Sequence, residues 1–126
     1  MNVRDAMSPS VLTLGPGHSL RAAATQMMEA KVGSAVVDDP DVGPGIISER
    51  AIVLAVAQGL DLDSESVGDH LAHDAVYAAP EWTLEEATDA MRKGGYRHLV
   101  VLEGHTVVGV ISLRDIVRAW QPSHIA

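Results

Sequence analysis

Hydrophobic positions along the chain recur in two rhythms. Leu20, Ala23 and Met27 fall at helical spacing, as do Leu84, Ala87 and Met91. Ser34 to Val37, Gly45 to Ile47, Leu99 to Leu102 and Val107 to Ile111 are instead short β-rich runs, separated by turn residues such as Asp39-Pro40-Asp41 and Glu103-Gly104-His105. Helix starts are signalled at Ser19 and at Thr83, where Thr83-Leu84-Glu85-Glu86 has the form of a capping box. Two more apolar runs, Val11 to Leu14 and Ala75 to Ala78, end in turns at Pro16 and Pro80 and predict short strands.

These elements repeat. At a constant offset of 64 residues, Val3 to Ala55 aligns without a gap on Val67 to Ala119, with identities that include Pro16/Pro80, Met27/Met91, Gly45/Gly109, Ser48/Ser112 and Arg50/Arg114. Each copy reads as a helical lead-in (Val3 to Met7; Val67 to Leu71), then strand, helix, two strands and a closing helix (Ser48 to Gln58; Ser112 to Trp120). The predicted fold is α+β: two pseudo-twofold-related β-α-β-β-α repeats, over 1–58 and 67–126, joined by an acidic linker at 59–66. Copies this short bury too little surface to be stable alone.

Composition narrows the function. The 126 residues include 17 acidic and 9 basic side chains, a net charge of −8, and no cysteine. Disulfides and cysteine-based metal sites are therefore excluded, and an acidic surface repels nucleic acid. No apolar run approaches the roughly 20 residues that span a bilayer, and no targeting signal is visible, so the expectation is a cytoplasmic protein without membrane partners. Any anionic ligand needs a local basic pocket, for which Arg, present seven times against two Lys, is well suited.

The densest chemical signal is Gly109-Val110-Ile111-Ser112-Leu113-Arg114-Asp115, at a predicted strand-to-helix junction. Two readings stand. In one, Gly109 permits close backbone approach, Ser112 and the free amides face an anion, and Asp115 accepts both hydroxyl hydrogens of a ribose. In the other, Ser112 and Asp115 simply cap a helix. The first copy keeps Gly45, Ser48 and Arg50 but has Ala51 in place of the acid. In His70-x-x-His73-Asp74 two imidazoles could share one helical face at metal-ligand spacing, but no third ligand is evident, so no metal site is expected there. His18, His105 and His124 read as solvated, and Gly15-Pro16-Gly17 and Gly43-Pro44-Gly45 as turns rather than phosphate loops. No catalytic motif is present, and no catalytic residue or obligatory cofactor is expected.

The duplicated unit, its Gly-hydrophobic-hydrophobic-Ser-x-x-Asp junction, and Tyr96-Arg97-His98-Leu99-Val100-Val101 at the middle strand resemble a tandem cystathionine β-synthase (CBS) domain pair, also called a Bateman module, over essentially the whole chain. The resemblance implies a non-catalytic sensor that binds an adenosyl ligand such as AMP, ADP or ATP in a cleft between repeats. It implies that Asp115 holds the ribose, with Ser112 and the backbone of Gly109 to Ile111 beside it. Arg97, His98 and Arg114 would meet phosphates, and backbone at Ser8, Ser10, Val11 and Leu12 would meet adenine. The first copy, with Ala51 and with Gly33-Ser34 in place of Arg97-His98, departs from the pattern, so one competent site is expected rather than two. Homodimers and an effector protein as partner are further implications. The competing reading is a ligand-independent interaction or stress-response module on the same fold.

Overall fold

The computed structural model describes residues 1–72 and 77–120; the expectations at His73, Asp74, the first half of the Ala75 to Ala78 strand, and His124 lie outside them. The described elements follow the duplicated order. The first set is α1 (Val3–Ala6), β1 (Thr13–Leu14), α2 (Leu20–Ala30), β2 (Ser34–Asp39), β3 (Gly43–Ser48) and α3 (Glu49–Ala57). A 3-10 turn (Val67–His70) opens the second set, followed by β4 (Tyr77–Ala78), α4 (Leu84–Gly94), β5 (His98–Glu103), β6 (Thr106–Ser112) and α5 (Leu113–Ala119).

Each set forms a three-stranded sheet of the same topology. β1 runs parallel to β2 and β2 antiparallel to β3; β4, β5 and β6 repeat the arrangement. Period-two alternation sends Leu99 and Val101 into the helical core of their sheet with Ile111, and Ala35 and Val37 into the other with Ile47. Val36, Ile46 and Val100, at alternate positions, are also buried but belong to neither helical core.

The predicted caps are formed. Thr83 Oγ1 accepts from Glu86 N at 3.1 Å while Thr83 N donates to Glu86 Oε1 at 3.0 Å, and Ser19 Oγ accepts from Ala22 N at 3.0 Å. The helices end alike in left-handed residues, Gly95 after α4 and Lys31 after α2, although only the first lacks the Cβ that opposes this conformation.

One sequence expectation changes in detail. The Gly43-Pro44-Gly45 stretch is not a turn: it opens β3, with Gly43 opposite Asp39 and Gly45 opposite Val37. Gly43 supplies the positive φ where the hairpin enters the strand. The second helical lead-in takes the form of a 3-10 helix, Val67–His70.

The chain folds as two compact units that do not coincide with the sequence copies. The first unit is Val11–His73; the second joins Met1–Ser10 to the described part of Asp74–Ala126. Each lead-in thus packs with the other copy's sheet and helices. In the second unit Val3 N donates to Trp82 O (2.8 Å) and Arg4 N to Pro80 O (2.9 Å); in the first, Val67 N donates to His18 O (2.8 Å) and Gly68 N to Pro16 O (3.0 Å). Val3 and Val67 are both fully buried, each worth about 1.5–3 kcal/mol by transfer.

Candidate functional site

The second unit assembles most of the residues that the sequence singles out. β6 ends at Ser112, which sits opposite His98 in the sheet, and α5 begins with Leu113 N donating to the carbonyl of Arg97 at 2.8 Å. The junction therefore carries Arg97, His98, Ser112, Arg114 and Asp115 together, because the antiparallel register brings the start of β5 beside the end of β6.

Asp115 is a cap. Its Oδ2 accepts from Ser112 N at 2.9 Å, and its own N donates to Ser112 Oγ at 3.1 Å. Such a box adds about 1 kcal/mol to the helix start. Capping occupies one carboxylate oxygen; among the described residues, no hydrogen bond is made to Oδ1. The two sequence readings of this motif are consequently compatible: a half-buried acid fixed by its backbone bonds, with an acceptor to spare.

Two arginines flank it. Among the described residues neither the Arg97 nor the Arg114 guanidinium has a hydrogen bond or ion pair, and both are exposed. By contrast Arg4 pairs with Glu103 at 2.6 Å and Arg92 with Asp89. In a chain of net charge −8, these two arginines give the junction a locally basic character.

Gly109 has a different role from the one its sequence context suggests. An ideal Cβ there would lie 2.7 Å from Met7 Sδ and 2.7 Å from the Ser8 carbonyl oxygen. The close approach that it permits is that of the N-terminal segment. Ser8 N donates to Val110 O at 2.9 Å and Val110 N to Ser8 O at 3.0 Å, so both main-chain groups of Ser8 are engaged. Ile111 is fully buried in the helical core. Ser10 is exposed within the same unit, its carbonyl accepting Ser8 Oγ at 3.3 Å. Val11 and Leu12 belong to the first unit, where Leu12 O accepts from Val36 N.

The first unit repeats the scaffold, with Ser48 and Arg50 kept, but without the acid and the Arg-His pair. Glu49 N donates to Gly33 O at 3.0 Å, Ser34 lies opposite Ser48, and Ser48 Oγ accepts from Ala51 N at 3.3 Å. Ala51 has no carboxylate, and Gly33 and Ser34 bring no cation. Elsewhere, His70 Nε2 lies 2.8 Å from Glu65 Oε1, and no group of three or more metal-ligating side chains occurs among the described residues. No helix among the described residues is long and apolar enough to cross a membrane.

Sequence reasoning missed the strand-edge role of Met7, Ser8 and Val110. Its trace in the sequence is the matched pair Val3/Val67, a buried anchor in each lead-in, but the partner surface of each anchor is set by tertiary structure.

Comparison with known proteins identifies the family and the fold. The family model described as CBS domain matches residues 3–58 and 67–121. Hypoxic response protein 1 of Mycobacterium tuberculosis is 31% identical over 118 residues, covering 91% of this chain and 82% of that protein. A CBS-domain containing protein from Agrobacterium tumefaciens superposes with a TM-score of 0.85 at 33% identity, over 94% of this chain and 92% of that one. A CBS domain protein from Pyrobaculum aerophilum, complexed with AMP, superposes with a TM-score of 0.82 at 29% identity, over 91% and 89%. With two tandem matches and a fold shared along nearly its whole length, this chain belongs to the CBS domain family as a tandem CBS pair.

Proposed function

We propose that this CBS pair is a non-catalytic regulatory module that binds one adenine nucleotide or related adenosyl ligand per chain at the β6–α5 turn and signals its occupancy to an effector protein. What supports the reading is that one strand-to-helix junction carries Asp115, whose Oδ1 accepts no hydrogen bond among the described residues, together with Arg97 and Arg114, whose guanidinium groups have no partner among them. Asp115 Oδ1 accepts from the ribose hydroxyls, while Arg97 and Arg114, with His98, meet phosphate oxygens. The backbone of Gly109 to Ile111 and the Ser112 hydroxyl border the ribose, and main chain near Ser10 offers groups to the base edge. The AMP complex of the Pyrobaculum relative supports an adenosine ligand. A change in state follows only if the ligand binds two states of the chain unequally.

A second copy of the chain is the partner that best fits the exposed apolar helix faces. On α5, Leu113, Val117 and, just beyond it, Trp120 are exposed at i, i+4, i+7 spacing, and on α3 Val53, Leu54 and Val56 are exposed. A homodimer covers such faces, and sedimentation equilibrium should return twice the chain mass, shifting toward the monomer in Trp120→Lys.

The test of the ligand reading is calorimetric titration of nucleotide-stripped protein with AMP, ADP, ATP and S-adenosylmethionine. One site per chain, abolished in Asp115→Ala and weakened in Arg97→Ala, is the expected result. Two equal sites, or binding indifferent to Asp115→Ala, would overturn it. A second reading, a ligand-independent interaction module, is favoured by Ala51, Gly33 and Ser34 in the first unit, and absence of binding by every ligand would select it.

A further inference from the structure

The turn that holds Asp115 is gripped on both sides by the N-terminal segment. On the strand side, Ser8 makes its paired hydrogen bonds to Val110, two residues before Ser112. On the helix side, Ile116, the residue after Asp115, shares a buried cluster with Val3. The same segment is tied to the start of α4 through Trp82 O and Pro80 O, and to the β5–β6 hairpin through Arg4 and Glu103. Residues 3–8 thus form a strap over the second unit, and they bracket a four-residue turn whose geometry decides where the Asp115 carboxylate lies.

The strap is held by main-chain hydrogen bonds, one exposed ion pair and a single fully buried side chain. Its helix α1 is one turn long and cannot persist by itself, and Val3 is its only fully buried side chain. Detachment therefore has a small free-energy gap compared with unfolding of the unit, and it frees both flanks of the turn. A ligand that requires Asp115 in its docked position binds the strapped state better, and by linkage its binding must tighten the strap.

Resting on the ligand reading above, we infer that the strap is the conformational variable that occupancy of the Asp115 site controls: ligand locks residues 3–8 down, and loss of ligand releases them. An effector or a tension acting on the N-terminus then reads the site without touching it. The first unit contains the same strap geometry, with Ala72 N donating to Ile46 O at 3.1 Å and Ile46 N to Ala72 O at 3.2 Å, but lacks the acid. It is the internal control.

The experiment is amide hydrogen exchange of the full chain with and without saturating AMP, alongside calorimetry of AMP binding to the unmodified protein and to Val3→Ala. The expected result is slower exchange at the Ser8 and Val110 amides by roughly fivefold or more, no change at Ala72 and Ile46, and a comparable loss of AMP affinity in Val3→Ala. If AMP binds but protection at Ser8 and Val110 is unchanged, or all four amides slow equally, the strap inference is overturned while the ligand reading stands. If AMP fails to bind the unmodified protein, the ligand reading fails for this nucleotide and the AMP-controlled strap fails with it. The exchange arm needs no variant, so a poorly folded Val3→Ala leaves the inference decidable.

Discussion

Substituting Gly109 by Ala places a methyl group 2.7 Å from a backbone oxygen, Ser8 O, and 2.7 Å from Met7 Sδ. The thioether can swing away, but the carbonyl can retreat only if the segment carrying it moves. That movement stretches both hydrogen bonds between Ser8 and Val110. Two such bonds contribute about 1 kcal/mol each, and overpacking of this kind costs about 1–3 kcal/mol, so the substitution should destabilise by about 2–4 kcal/mol. For a domain whose whole stability is about 5–15 kcal/mol, that is a large fraction. Gly17→Ala is the matched control: its Cβ would meet nothing within 4 Å and its φ is not positive, so it should be neutral or stabilise by about 0.4–1 kcal/mol. Guanidinium denaturation followed by far-ultraviolet circular dichroism measures both. A Gly109→Ala midpoint within error of wild type, at unchanged slope, would refute the claim that this glycine exists to admit the N-terminal segment.

Other consequences are equally direct. Ala51→Asp should rebuild in the first unit the cap that Asp115 makes in the second, raising stability by about 0.5–1 kcal/mol in thermal or denaturant unfolding. Lys31, a non-glycine residue at φ 58° where the other copy has Gly95 at φ 72°, should gain about 0.5 kcal/mol on Lys31→Gly, the relief of left-handed strain exceeding glycine's entropic cost; Gly95→Ala should lose about 1 kcal/mol. The hydrogen bond from Arg92, reinforced by Lys93, holds the exposed Asp89 carboxyl below its ordinary value. Its contribution is complete above the unfolded carboxylate pKa and is lost as pH falls through the lowered folded one, so Asp89→Asn should be slightly less stable than wild type at neutral pH and converge with it in acid, flattening the acid limb of the pH–stability curve by the small amount that an exposed pair contributes.

Legibility in the sequence followed range. Local signals carried far: Thr83 and Glu86, Ser19, and Ser112 with Asp115 cap the helices their spacing predicts, and the β-rich run Leu99 to Leu102 lies in a strand. Where a signal was ambiguous locally, neighbours from elsewhere decided. The glycines around Pro44 read as a turn because proline and glycine favour turns, yet pairing with Val37 and Asp39 draws them into an edge strand, where proline's missing donor is tolerated. Of the candidate site, the junction of Arg97, His98, Ser112 and Asp115 was readable because antiparallel register brings both ends of one hairpin together. The engagement of Ser8 was not, since its partner Val110 lies 102 residues away.

By itself, then, the sequence determined the duplication, the order of elements in each copy, the capped turns, and the chemical inequality of Asp115 and Ala51, all of which are encoded by neighbours along the chain or by one fixed offset. Tertiary structure decided which sheet each lead-in would close, and hence that the compact units are exchanged relative to the repeats. The reason is physical. Both lead-ins carry the same buried valine, so local pattern gives neither a preference for its own copy; the choice falls to the long-range fit of Ser8 against Gly109 and Val110, and of Ala72 against Ile46.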